Sequence, residues 1–181
     1  MEKYLEDFWR NYSYIHNSTK ELFILSEEYD TEMSSFIQPI KEQKDSLEHI
    51  VRAYSRYSQN ECIKSEDEKY IKSNLTKAMG HIFRAFFDCA DVFSIIFREK
   101  ISNEIRKFSY NEILRVWKDY EKYRIVLVDM PKKIAEFRTN KDIAKNDGDI
   151  TGMVKSYKET VFELFKIYDE FMKDIYPILN K

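Results

Sequence analysis

Residues 154–178, VKSYKETVFELFKIYDEFMKDIYPI, decide the fold class. Val154, Tyr157, Val161, Leu164, Tyr168, Phe171, Ile175 and Ile178 follow one another at steps of three and four, the spacing that brings side chains onto one face of an α-helix. Such a helix is about 38 Å long at 1.5 Å per residue. Phe162, Phe165, Met172, Tyr176 and Leu179 widen its apolar stripe, so it is expected to pack against two or more neighbours.

The same pattern recurs upstream. Leu5, Phe8, Tyr12, Ile15, Thr19, Leu22, Ser26, Tyr29, Met33 and Phe36 predict a first long helix ending at Pro39. Ile40, Leu47, Ile50, Val51, Tyr54 and Tyr57 predict the buried stripe of a second, which fades near Ser58. Ser65 and Glu68 read as a capping box opening a third helix through Ile71, Leu75, Ala78, Ile82, Phe86, Phe93 and Phe97 as far as Phe108. Ser109 and Glu112 read as a second box, opening a fourth helix along Ile113, Leu114, Trp117, Tyr120, Arg124 and Leu127, which Pro131 kinks or restarts. The run Tyr123 to Val128 is β-branched, but a lone strand would leave its backbone groups unpaired, so helix is preferred there too. Asn146-Asp147-Gly148-Asp149 is the strongest turn signal and precedes the last helix.

Composition agrees. The chain has 181 residues, 43% hydrophobic and 34% charged, with only 3 Gly and 3 Pro, too few chain breakers for a sandwich, a barrel or a doubly wound sheet. The expectation is an all-α, elongated up-and-down bundle of about five long helices forming a single domain over residues 1–181. A net charge of −2 does not match a general nucleic-acid binder. Residues 1–37 nevertheless carry a net −5 and residues 64–145 a net +5, which suits an acidic first helix packed beside basic later ones. The apolar stretch Ile82 to Phe97 is interrupted by Arg84, Asp88 and Asp91, so no membrane span is expected. No secretion signal is read at the start, and the expected location is cytoplasmic. Cys62 and Cys89 lie in no metal-like spacing and read as free thiols, Cys89 buried. Asn-x-Ser/Thr triplets at Asn11, Asn17 and Asn74 read as coincidental.

One internal similarity stands out. Leu47-Glu48-His49-Ile50-Val51-Arg52-Ala53-Tyr54 and Met79-Gly80-His81-Ile82-Phe83-Arg84-Ala85-Phe86 share His, Ile, Arg and Ala at matching positions. In a hairpin of the second and third helices turning near Ser65, His49 would stand beside His81, and Glu42 beside Asp88. His81, Arg84, Asp88 and Asp91 form a polar series along an otherwise apolar helix, and buried ionisable groups must be paired. The candidate polar pocket is therefore His49, Arg52, His81, Arg84, Asp88 and Asp91. It is read either as a register-fixing network, with an Arg84–Asp88 pair and neutral histidines, or as an acid–base site whose arginines grip an anion.

Metal and cofactor binding are not expected. Ser13, Ser46 and Ala78 stand three residues before the histidines, where di-iron bundles place Glu. Asp147, Asp149, Thr151 and Gly152 resemble the first half of an EF-hand loop, but the twelfth position is Lys158.

Arg10-Asn11-Tyr12-Ser13-Tyr14-Ile15-His16 resembles the Arg-Asn-x-x-x-x-His motif of HEPN ribonucleases, all-helical and metal-independent RNA-cleaving proteins. That resemblance implies that Arg10 steadies the scissile phosphate, Asn11 supports the site and His16 handles the proton. Against it stands the wider observation that 28 aromatic residues on long thin helices leave some exposed as interface anchors. The leading expectation is thus a non-catalytic helical-bundle scaffold that binds a protein partner or itself. A HEPN-like ribonuclease or another hydrolase using the His/Arg pairs is the alternative.

Overall fold

A computed structural model describes residues 1–30, 36–59, 63–139 and 149–181, and among them there is helix and no strand. The helices are α1 (Glu2–Tyr29), α2 (Ile37–Ser58), α3 (Ser65–Ile105), α4 (Tyr110–Val116), α5 (Tyr120–Thr139), α6 (Ile150–Glu170) and the short α7 (Tyr176–Leu179). Met33, Cys62 and most of the Asn146–Asp149 turn, together with Asp147 of the calcium-like series, lie outside the described residues.

The 41-residue α3 is the axis of the bundle, about 60 Å long, and it carries most of the core. Phe83, Phe86, Phe87, Phe93 and Phe97 are fully buried, as are Val154, Tyr157, Val161, Leu164 and Phe171 of the C-terminal stretch. They interlock as ring pairs: Phe87 with Tyr157 at 5.1 Å, Phe93 with Phe162 at 5.4 Å, Phe97 with Phe165 at 5.3 Å. These contacts are why α6 lies along α3. Cys89 sits in this core, where burial, and then the charge of Asp88, pushes its thiol up to about 12.

Several boundaries differ from expectation. α1 ends at Tyr29, well before Pro39, which occupies the first turn of α2, where a missing N–H costs nothing. Buried Phe36 starts α2 rather than ending α1, held by Phe23 at a ring distance of 4.8 Å. The cap of α3 lies one residue early: the Lys64 N–H donates to Asp67 Oδ2 at 3.2 Å, and Ser65 is already helical. The second box holds, with the Ser109 N–H donating to Glu112 Oε2 at 2.8 Å.

The expected fourth helix is two helices. Trp117 takes an extended conformation (φ −105°, ψ 93°) and turns its ring into the core. Its Nε1–H donates to Glu170 Oε1 at 2.7 Å, and the Tyr123 hydroxyl donates to Glu170 Oε2 at 2.6 Å. Burial of the indole with a satisfied N–H outweighs one more turn of helix. Pro131 does not restart α5, which runs through it to Thr139. Between α6 and α7 the turn Phe171–Ile175 is a π-helix, and the Tyr176 N–H bonds to the Phe171 carbonyl five residues back. Pro177 explains the widening, because it donates no N–H and its ring would strike the carbonyl four residues back.

Candidate functional site

The polar side chains cluster where α2 meets α3. α2 turns small residues toward α3: Pro39, Ser46 and Ala53 are its buried positions, seven apart. Small side chains let two helices approach closely, and polar groups then lock them. The Tyr12 hydroxyl of α1 bonds Ser46 Oγ at 2.9 Å, and Ser46 Oγ donates to the Ala78 carbonyl at 2.8 Å. Ser46 has one proton, already given to Ala78, so Tyr12 is the donor. Burial holds the Tyr12 phenol above its usual range.

The imidazoles of His49 and His81 stack with ring centroids 5.3 Å apart and planes 20° apart. Each Nδ1 is engaged: His49 with Asn74 Oδ1 at 3.0 Å, His81 with Glu42 Oε2 at 2.8 Å. Glu42 also accepts from Arg84 Nε at 3.0 Å, so Arg84 reaches across the hairpin to Glu42. His49 thus stands beside His81 as the sequence suggests, while Glu42 is met by Arg84, one turn before Asp88. Burial alone would raise the Glu42 carboxyl, but the bonds from His81 and Arg84 and the arginine's charge outweigh it and lower it below the ordinary 4.5. An ionised Glu42 requires that His81 Nδ1 carry the proton. The Arg84 Nη2 group 2.7 Å from the same nitrogen then adds charge, not a second bond.

The other candidates lie elsewhere. Arg52 is exposed and pairs with Glu48 on its own helix. Asp91 faces α5 and α6, where it accepts from the Tyr157 hydroxyl and from Arg138 Nε at 2.8 Å. Ten residues of helix carry Asp91 about 80° round from His81, too far to share its neighbours. Asp88 is half-buried on the turn between them. Glu42 and Asn74 are the members that sequence reasoning missed. Asn74 was visible only as part of a coincidental triplet, and Glu42 only against the wrong partner.

Arg10, Asn11 and His16 diverge. Arg10 is exposed and pairs with Asp7. With Asn11 and Tyr14 it borders a depression at the start of α6, beside Asp149 and Lys155. His16 opens toward α2, beside Gln43 and Lys44, and stacks on Tyr12 at 6.4 Å.

The largest departure from the sequence reading is on α2. Its apolar stripe, expected to be core, faces outward: Ile40 is 53% exposed, Leu47 58%, Val51 53% and Tyr54 67%. The stripe is turned about a third of the helix circumference away from the Ser46–Ala53 face that meets α3. α1 and α2 each lie along α3, and an apolar trough runs between them. One part, about 300 Å³, is lined by Leu5, Trp9, Ile50, Tyr54, Tyr57 and Leu75. The other, about 700 Å³, shares Trp9 and Ile50 and adds Tyr12, Ile40, Leu47 and Ile82. Trp9 stands on its wall, 46% exposed, and neither His49 nor His81 borders either part.

No helix among the described residues is long and apolar enough to cross a membrane. No group of three or more His, Cys, Asp or Glu side chains converges there as metal ligands would. No protein-family model, no curated protein and no solved structure matches the chain.

Proposed function

We propose that this chain is a non-catalytic helical-bundle interaction protein that receives a helix of a protein partner on α2 and in the trough between α1 and α2. One observation carries this reading: four large apolar side chains of a single helix, Ile40, Leu47, Val51 and Tyr54, stand more than half exposed on one face. A contiguous apolar patch of this kind marks an interaction surface. The trough beside it is walled by Trp9 and Tyr57, the residue types that anchor interfaces. The His49/His81 cluster then acts as a clasp that fixes α2 on α3 and so holds the stripe outward.

The test compares proteins co-purified with the wild-type chain and with an I40E/L47E variant, whose substitutions are at exposed positions. The expected result is retention of the fold, read by circular dichroism, with loss of specific associations, self-association included. Identical sets from both chains would overturn the reading.

A metal-independent hydrolase is the second reading, supported by the carboxylate–imidazole pair of Glu42 and His81 at 2.8 Å. Its expected signature is RNA or ester hydrolysis abolished by His81→Asn; no turnover by the wild-type chain on either substrate class would remove it.

A further inference from the structure

Resting on the interaction reading, we infer that the partner helix is α2 of a second copy of this chain, docked antiparallel about a two-fold axis level with Asp45 and Ser46. The inference comes from the order of residues along the exposed stripe. Ile40, Leu47 and Tyr54 repeat every seven residues, and Ile37, Lys44 and Val51 repeat in the companion series three residues earlier. This is the alternation of two helices packed by knobs into holes, and all six positions are exposed. From Ile37 to Tyr54 the stripe is about 25 Å long.

Antiparallel pairing about that axis matches the two series to each other. Ile37 meets Tyr54 of the second copy, Lys44 meets Leu47, and Val51 meets Ile40, so every layer holds at least one large apolar side chain. Lys44, lying against leucine, extends its ammonium to water along the apolar surface. A parallel pair would instead stack Lys44 on Lys44 at its centre and set like charges together.

The flanks agree with the same choice. Lys41 and Glu48, one heptad apart on one edge of the stripe, are both exposed. In the antiparallel arrangement Lys41 faces Glu48 of the second copy and the dyad repeats the pair, giving two opposite-charge contacts. The parallel arrangement makes neither. A lipid surface suits this face less well, because its border carries both signs, Lys41 and Arg52 with Glu48, where a membrane-seeking helix is basic.

The test is sedimentation of the full chain between 1 and about 200 µM, a range covering typical weak to moderate association. A concentration-dependent dimer is expected. Leu47→Lys, at an exposed position, keeps the helical spectrum and weakens the dimer by at least about 100-fold, because it sets each Lys44 against a second ammonium and gathers four like charges at the dyad. Lys41→Glu weakens it about 10-fold by reversing two flanking pairs, and adding Glu48→Lys to the same chain restores it to within about 3-fold. Only antiparallel pairing of one α2 with another yields that rescue. A wild-type chain monomeric throughout, a dimer indifferent to Leu47→Lys, or a Lys41→Glu defect that Glu48→Lys leaves unrepaired each overturns the inference. The broader reading is judged separately: a monomer whose other associations still vanish in I40E/L47E has a different partner on the same face, whereas a monomer whose associations are unchanged refutes both.

Discussion

Replacing Glu42 by Ala tests the clasp that holds α2 in place. Glu42 is 12% exposed and accepts one bond from His81 and one from Arg84. Charge-assisted hydrogen bonds contribute about 1.5–3 kcal/mol each where both partners are buried. Arg84 is 41% exposed, so water solvates its guanidinium once the carboxylate is gone, and removing Glu42 also removes the cost of desolvating it. The net loss comes to about 2 kcal/mol at pH 7, equivalent to a fall in Tm of about 4–8 °C for a chain of this size. Glu42→Gln keeps one acceptor and is expected to lose about half as much.

The pH dependence has a definite sign. Folding lowers the Glu42 pKa, so its contribution is complete above the ordinary 4.5 and disappears as pH falls through the lowered value. Thermal melts of wild type and Glu42→Ala should therefore differ at pH 7 and converge as pH falls below the ordinary 4.5 and through the lowered value. A Tm difference under about 1 °C at pH 7, or one that widens on acidification, would refute the assignment of Glu42 as the clasp.

Two further outcomes are expected. Gly152→Ala places a Cβ 2.0 Å from Asp149 Oδ2 and expels the carboxylate that caps the Gly152 N–H, so chemical denaturation should show a loss of about 1 kcal/mol, with Asp149→Ala no worse. In a Cys62→Ser chain, the remaining thiol, Cys89, should react with a thiol-directed disulfide reagent only at the rate of unfolding; a fast native phase would contradict its burial and raised pKa.

Residue spacing alone was enough to identify helices, because a face repeating at three and four can be buried in no other regular structure. The α6 stripe and the Ser109 box follow directly from it. Boundaries were less legible where tertiary contacts override local preference. Trp117 leaves the helix because Glu170 and Phe171, more than fifty residues away, offer its indole a bond and a packed surface. The α2–α3 site was half legible. The repeated His-x-x-Arg element marks His49 and His81, but the two arginines do different things, because α3 is central to the bundle and α2 lies on its rim. Arg84 therefore meets Glu42, whereas Arg52 meets water and Glu48.

Amphipathicity states that one side of α2 excludes water without stating what it packs against. The sequence by itself determined that Ile40, Leu47, Val51 and Tyr54 share a face. Only the tertiary structure decided that this face is turned outward. The reason is that Pro39, Ser46 and Ala53, with Glu42 and His49 beside them, approach α3 more closely and form more directional bonds than a row of large aliphatic side chains would allow.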